Sequence, residues 1–169
     1  MNRKIKNIIN ITAFLVCIGL INIAGQNIEI EIRGMNAFTF ILIVAVLLQI
    51  IFFIPSFLLK TEKYYDLVGS LTYIATVSLA YFSVENKTMI DSVIYFYVMI
   101  WASRLGIYLF TRVRNVGKDV RFEKAKRHFF YFLQYWMGQA LWVSLTACAA
   151  IIAILSPEED TLPVLAMVG

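Results

Sequence analysis

Five apolar stretches separated by short polar ones divide the chain. They predict helices over residues 8–25, 37–59, 67–84, 92–111 and 129–155. Each is close to, or longer than, the roughly 20 residues that a helix needs to cross the hydrocarbon core of a bilayer. The pattern therefore predicts an all-α fold, a multi-pass transmembrane helix bundle with five complete spans. We expect residues 1–169 to form a single transmembrane domain.

Composition supports the same class of protein. The chain is 60% hydrophobic and 15% charged, whereas soluble domains are about half apolar and a quarter charged. The net charge of +4 does not indicate a nucleic-acid partner, because the positive residues lie at the ends of the apolar stretches. Cys17 and Cys148 fall within apolar runs at no metal-binding or disulfide spacing, so we predict no metal site. The lone histidine, His128, is more often solvated than catalytic at such a position.

The cations are distributed unevenly among the connections. Seven of the fifteen Lys and Arg residues lie between residues 112 and 127. With the amino terminus in the cytoplasm, the inside connections hold twelve cations and the outside ones hold only Arg33 and Lys87. This asymmetry predicts a cytoplasmic amino terminus, because Lys and Arg accumulate in cytoplasmic connections. The basic segment also suits an anionic ligand, either a nucleotide phosphate or a lipid head group.

One cation lies inside a predicted span. A charge there is costly and usually faces the bundle interior, so we expect Arg104 to point inward toward polar groups. The alternative is that its long side chain reaches toward the interface, although Arg112 is about 12 Å further along a helix. In the basic segment, Asp119 either balances local charge or orients Arg121 to bind a phosphate.

Further polar residues gather near the same predicted cytoplasmic face. Glu62, Tyr65 and Asp66 follow the second apolar stretch, and a Glu or Tyr beside a membrane-embedded cavity can act as an acid in a reduction. Tyr65 can equally be an aromatic residue of the membrane interface. Gln134, within the last apolar stretch, suits a hydrogen bond between helices, and a contact with a ligand is the alternative.

Four ordered blocks resemble a known family. They are TEKYYDLVGSLTYI (61–74), WASRLGIYLFTRV (101–113), GKDVRF (117–122) and FLQYW (132–136). Together they resemble the amino-terminal part of the DUF1295 family, whose members are similar to the carboxy-terminal domain of steroid 5-alpha-reductase. The resemblance covers roughly residues 60–157. Relatives continue with two helices and a second nucleotide-binding segment rich in Arg, His, Pro, Asn and Tyr. No such segment occurs here, so we expect a truncated form.

The resemblance implies a membrane reductase that uses NADPH to reduce a carbon–carbon double bond in a lipid or steroid-like substrate. It assigns the cofactor to Arg104, Arg112, Asp119 and Arg121. It implies catalytic roles for Glu62 and Tyr65, and substrate contacts for Asp66 and Gln134. The membrane would be the bacterial inner membrane or the endoplasmic reticulum. Two alternatives stay open: a non-catalytic membrane protein whose basic segment binds anionic lipid, and a lipid methyltransferase with an adenosine cofactor.

Overall fold

A computed structural model describes residues 3–116 and 122–156. It contains five long helices, α1 Arg3–Ile23, α2 Ala37–Leu58, α3 Tyr65–Ser83, α4 Met89–Val116 and α5 Phe129–Leu155. A short 3-10 turn, Ala125–Arg127, precedes α5. Helix accounts for 81% of the described residues. The predicted all-α class is therefore confirmed, and every predicted helix is present with ends that differ by a few residues.

Four of the helices are long and apolar enough to cross a membrane. They are α1, α2, α4 and α5, and their composition indicates an integral membrane protein. The remaining helix, α3, contains Ser70, Thr72, Thr76 and Ser78, which lower its apolar character. The prediction of five complete spans is thus confirmed for four helices. Large apolar side chains cover the outer surface, where Leu58 is 73% exposed and Ile100 is 68% exposed. A bilayer would bury this surface.

The connection between α1 and α2 contains a minimal β-hairpin that the hydrophobic pattern does not predict. Strands β1 Glu31–Ile32 and β2 Met35–Asn36 pair antiparallel across Arg33 and Gly34. Both turn residues have positive φ, the backbone conformation that tight two-residue hairpins require. Asn36 then caps α2, because its side-chain oxygen accepts from the Thr39 backbone N–H at 3.1 Å.

The start of α4 is fixed by a reciprocal cap. The Thr88 backbone N–H donates to Asp91 Oδ2 at 2.8 Å, and the Asp91 N–H donates to Thr88 Oγ1 at 3.1 Å. This capping box satisfies two backbone donors that a helix end otherwise leaves without partners. It places the beginning of α4 three residues earlier than the apolar stretch predicts.

Helix α5 is the centre of the bundle. It packs against α1, α2 and α3, whereas α4 packs mainly against α3. Close approach of α3 and α4 depends on Gly106, where an added Cβ would come within 2.8 Å of Ser70 Cβ. Consecutive helices alternate in direction, so the starts of α1, α3 and α5 meet the ends of α2 and α4. We call this the basic end.

A group of buried residues forms the core of the basic end. It is mainly aromatic and consists of Phe53, Val68, Phe122, Ala125, Phe132, Trp136 and Met137. Trp136 is fully buried, and its ring lies 6.4 Å from that of Phe53 on α2. The start of α1 joins the same end, because Arg3 lies over the ring of Tyr131 at 5.8 Å. Helices α1, α2, α3 and α5 are therefore held together around aromatic side chains near the polar residues of this end.

Candidate functional site

Glu62 lies buried in the turn between α2 and α3. Its Oε2 atom accepts a hydrogen bond from Lys126 Nζ at 2.7 Å, and its side chain is only 4% exposed. Lys126 comes from the 3-10 turn before α5, so the ion pair joins two connections that are 64 residues apart in sequence. Lys126, one of the cations of the basic segment, therefore pairs with a buried carboxylate and does not only add to the charge of the surface.

Tyr65 begins α3 and reaches α5. Its hydroxyl donates to the backbone oxygen of Tyr135 at 2.9 Å. Its ring packs on Phe122 at 4.8 Å and on Trp136 at 5.3 Å between ring centroids. These contacts hold the phenol group against α5 and orient its proton toward the Tyr135 backbone oxygen.

Asp66 lies next to Tyr65 and contacts α4. Its Oδ2 atom is 3.5 Å from the Arg112 guanidinium. The Asp66 side chain is 14% exposed and that of Arg112 is 46% exposed. Arg112 can therefore keep this partner and still present N–H groups outward to an anion, because a guanidinium has five donors in a planar fork.

These three polar contacts involve most of the predicted polar residues. Glu62, Tyr65 and Asp66, predicted for catalysis and substrate, and Arg112, predicted for the cofactor, lie at the basic end with Lys126. The arrangement offers a phenol, two carboxylates and two cations beside an aromatic core. Such a set can bind an anionic group and can exchange protons with a carbonyl oxygen.

The predicted orientation of Arg104 is wrong. Its side chain lies on the exposed face of α4 and lines an open groove of about 820 Å³ with Ile100, Ile107 and Thr111. The inward face of α4 is occupied instead by the small residues Ala102 and Gly106, which pack against α3. The α3–α4 contact is too close for an arginine to fit there. A role for Arg104 in cofactor binding stays a prediction.

Two further predictions have different outcomes. Gln134 Oε1 accepts from Asn10 Nδ2 at 3.3 Å, which joins α5 to α1. This is the interhelical role that its position allowed, and its predicted contact with substrate stays untested. Asp119 and Arg121 lie outside the described residues.

Several buried side chains with polar atoms were not predicted from the sequence to be site residues. Gln49 Nε2 donates to Thr72 Oγ1 at 2.9 Å within the α2–α3 interface. Gln139 lies beside Gly69, where an added Cβ would come within 2.5 Å of its Nε2 atom. The indole N–H of Trp136 is buried and has no hydrogen-bond partner in the described part of the chain. A polar residue in an otherwise apolar stretch was the only sequence signal for these positions.

No group of three or more His, Cys, Asp or Glu residues within 3–116 and 122–156 is arranged to hold a metal ion. Cys17 is exposed and Cys148 is half-buried, and both are free thiols. The polar groups that converge at the basic end are oxygen and nitrogen atoms of ion pairs and hydrogen bonds. Groups of this kind can exchange protons and bind anions.

Comparison with known families identifies the chain. The model of the DUF1295 family, described as a protein of unknown function, matches residues 52–169. The chain belongs to the DUF1295 family. The matched region begins near the end of α2 and includes Glu62, Tyr65, Asp66, Arg112 and Lys126. No curated protein and no solved structure matches the chain. Membership of DUF1295 confirms the resemblance seen in the four sequence blocks.

Proposed function

We propose that this DUF1295 protein is a membrane-embedded, NADPH-dependent reductase of the steroid 5-alpha-reductase type. It would reduce a carbon–carbon double bond of a lipid or steroid-like substrate. The observation that carries the proposal is the convergence of Tyr65, Asp66 and Glu62 with Arg112 and Lys126 at one end of the bundle. A phenol and carboxylates near two cations, of which Arg112 is half-exposed, suit the reduction of an enone by a phosphate-bearing cofactor.

The proposal includes an orientation in the membrane. The basic end would face the cytoplasm together with the amino terminus, because Lys and Arg are retained on that side. Helix α3 would then be a fifth span, since 19 residues make a helix about 28 Å long. Its polar side chains are compatible with this role, because Thr72 and Thr76 are buried against neighbouring helices and bond to backbone oxygens. The membrane would be the bacterial inner membrane or the endoplasmic reticulum.

Arg112 is the described residue best suited to contact NADPH. Its side chain is half-exposed although it is paired with Asp66, so it can bind a phosphate without losing that partner. Asp119 and Arg121, in the adjoining segment, would complete the binding surface. When bound there, NADPH supplies the hydride of the reaction. Arg104 cannot share one phosphate with Arg112, because eight residues of helix separate them by about 12 Å.

Glu62 and Tyr65 would serve the substrate carbonyl. The Tyr65 hydroxyl now donates to the Tyr135 backbone oxygen, and Glu62 accepts from Lys126. A substrate carbonyl that receives the Tyr65 proton would replace the backbone oxygen as its acceptor. Lys126 would stay beside Glu62 and hold its carboxylate in place. Asp66 and Gln134 are the proposed substrate contacts.

Energy transfer to the nicotinamide ring tests the proposal. The chain is reconstituted in nanodiscs, tryptophan is excited, and NADPH emission is followed during titration. Trp136 lies beside Tyr65, so NADPH bound at the basic end should be sensitised. Saturable binding that weakens in Arg112→Gln and persists in the control Arg33→Gln, whose residue lies in the α1–α2 hairpin, is expected. Absence of saturable binding would reject the reductase, and tighter binding of S-adenosylmethionine than of NADPH would favour the methyltransferase.

A further inference from the structure

A cleft lined by two cations lies at the basic end, between the start of α3 and the last turns of α4. Its volume is about 290 Å³, and it is lined by Lys63, Tyr64, Phe110, Val113 and Arg114. The rings of Tyr64 and Phe110 stack with their centroids 6.3 Å apart and form an aromatic wall. None of the described lining residues is acidic. The cleft thus combines two cations with an apolar wall.

The two cations of this cleft differ from those of the candidate site. Arg112 and Lys126 form ion pairs with Asp66 and Glu62. The side chains of Lys63 and Arg114 are exposed and have no ion pair or hydrogen bond within residues 3–116 and 122–156. Their charge is therefore available to an external anion. Two cations without a side-chain partner among the described residues, placed around one cleft, suit a phosphate group, which accepts several charge-assisted hydrogen bonds.

The cleft is separate from the candidate site. Arg114 follows Arg112 by two residues, so the two side chains leave α4 about 200° apart. Arg112 turns toward Asp66, whereas Arg114 turns toward the cleft. A ligand in the cleft would consequently not displace the Asp66–Arg112 pair.

The α4 groove, which is mostly apolar, ends about one helical turn from the cleft, because Thr111 of the groove precedes Arg114 of the cleft by three residues. The groove residues Ile100, Ile107 and Thr111 and the cleft residue Arg114 are spaced by three, four or seven residues. This spacing places them on one face of the helix. A ligand that fills both the cleft and the groove therefore needs a compact anionic group at the basic end and an apolar chain along α4. The cleft alone, at about 290 Å³, is at the lower limit of pockets for drug-sized ligands.

We propose that the α3–α4 cleft binds the phosphate of an anionic membrane lipid whose acyl chain lies along the α4 groove. Lys63 and Arg114 bond the phosphate, and Tyr64 and Phe110 contact the glycerol region. Aromatic residues are common at this depth, where the head groups of a bilayer meet its hydrocarbon core. This binding site is independent of the proposed reductase activity.

Native mass spectrometry of the full chain tests the site, with phosphatidic acid as the probe. The chain is exchanged from phosphatidylcholine nanodiscs into detergent with added phosphatidic acid, and bound lipid is counted. The double variant Lys63→Gln/Arg114→Gln should bind phosphatidic acid at least about tenfold more weakly, because it loses two charge-assisted contacts. The control Lys60→Gln/Lys124→Gln removes the same charge from exposed positions outside the cleft and should bind as the unaltered chain does.

Other outcomes would overturn the proposal. Equal losses in the two double variants would mean that binding depends on overall charge and not on the cleft. Equally tight binding of glycerol 3-phosphate, which has no acyl chain, would mean that the groove contributes nothing and that the ligand is a soluble phosphate. Competition between NADPH and phosphatidic acid would assign the cleft to the nucleotide. Circular dichroism of both double variants establishes that the helices are intact.

Discussion

Lys126 Nζ lies 2.7 Å from Glu62 Oε2 and joins the turn before α5 to the turn before α3. The Glu62 side chain is 4% exposed, whereas that of Lys126 is 23% exposed. The pair therefore has one member inside the protein and one at its boundary. This arrangement holds the Glu62 carboxylate in place and fixes where the basic segment rejoins the bundle.

Removal of the lysine should destabilise the bundle. Lys126→Met takes a charged partner from a buried carboxylate, which is expected to cost about 1.5–3 kcal/mol. Glu62→Gln in the same background should restore part of the loss, because a neutral amide is cheaper to bury than a carboxylate. Unfolding in SDS of the two single variants and the double variant measures the coupling. A coupling energy near zero would mean that the contact contributes nothing to stability.

Substitution by alanine should have opposite effects on stability at two glycines, Gly106 and Gly19. In Gly106→Ala the new Cβ meets Ser70 Cβ at 2.8 Å, an atom close to the α3 backbone that cannot move freely. We expect a loss of about 1–3 kcal/mol, as for other overpacked interfaces. Gly19→Ala meets no atom within 4 Å and should stabilise α1 by up to about 1 kcal/mol. SDS unfolding compares them, and equal effects would contradict the close α3–α4 packing.

Arg104 should be dispensable for stability. It lies exposed near the middle of α4, where a charge facing lipid costs about 2.5–3.5 kcal/mol on insertion scales. Arg104→Leu removes that cost and should leave resistance to SDS unfolding unchanged or raise it. Arg112→Leu is the comparison, since it loses the Asp66 partner and should lower resistance. A marked loss of stability in Arg104→Leu would show that this side chain has a polar partner in the membrane.

Much of the fold could be predicted from the length and polarity of the apolar stretches. Helix α5 occupies the predicted residues 129–155 because charge and aromatic clusters mark its start. The extension of α4 beyond residue 111 could not be read from hydropathy, because that part of the helix carries Arg112 and Arg114. The β-hairpin has strands of only two residues, which is too short for an alternating pattern. Helix boundaries were set by caps and turns, and these depend on single residues.

Most residues of the candidate site could be predicted from the sequence, but their partners could not. Glu62 and Asp66 could be selected because they are charges beside a span. Nothing in the sequence links Glu62 to Lys126, which lies 64 residues away and is one of several cations in its segment. The inward orientation predicted for Arg104 followed from the cost of exposing a charge to lipid. That rule failed because the inner face of α4 is closed by the α3 contact at Gly106.

The final prediction concerns Asp119 and Arg121, which decide between a nucleotide site and a general basic surface. An acid two residues before an arginine can hold its guanidinium in one geometry, and selective binding of NADPH requires such an orientation. Each charge-assisted hydrogen bond contributes about 1.5–3 kcal/mol, so Asp119→Ala and Arg121→Ala should each weaken NADPH binding by roughly ten- to a hundredfold. A surface that only attracts anions predicts the opposite for Asp119→Ala, because removal of an acid makes the segment more cationic. Titration of both variants with NADPH shows whether the affinity falls or rises in each. Unchanged affinity in both variants, with intact helices, would leave only the basic surface.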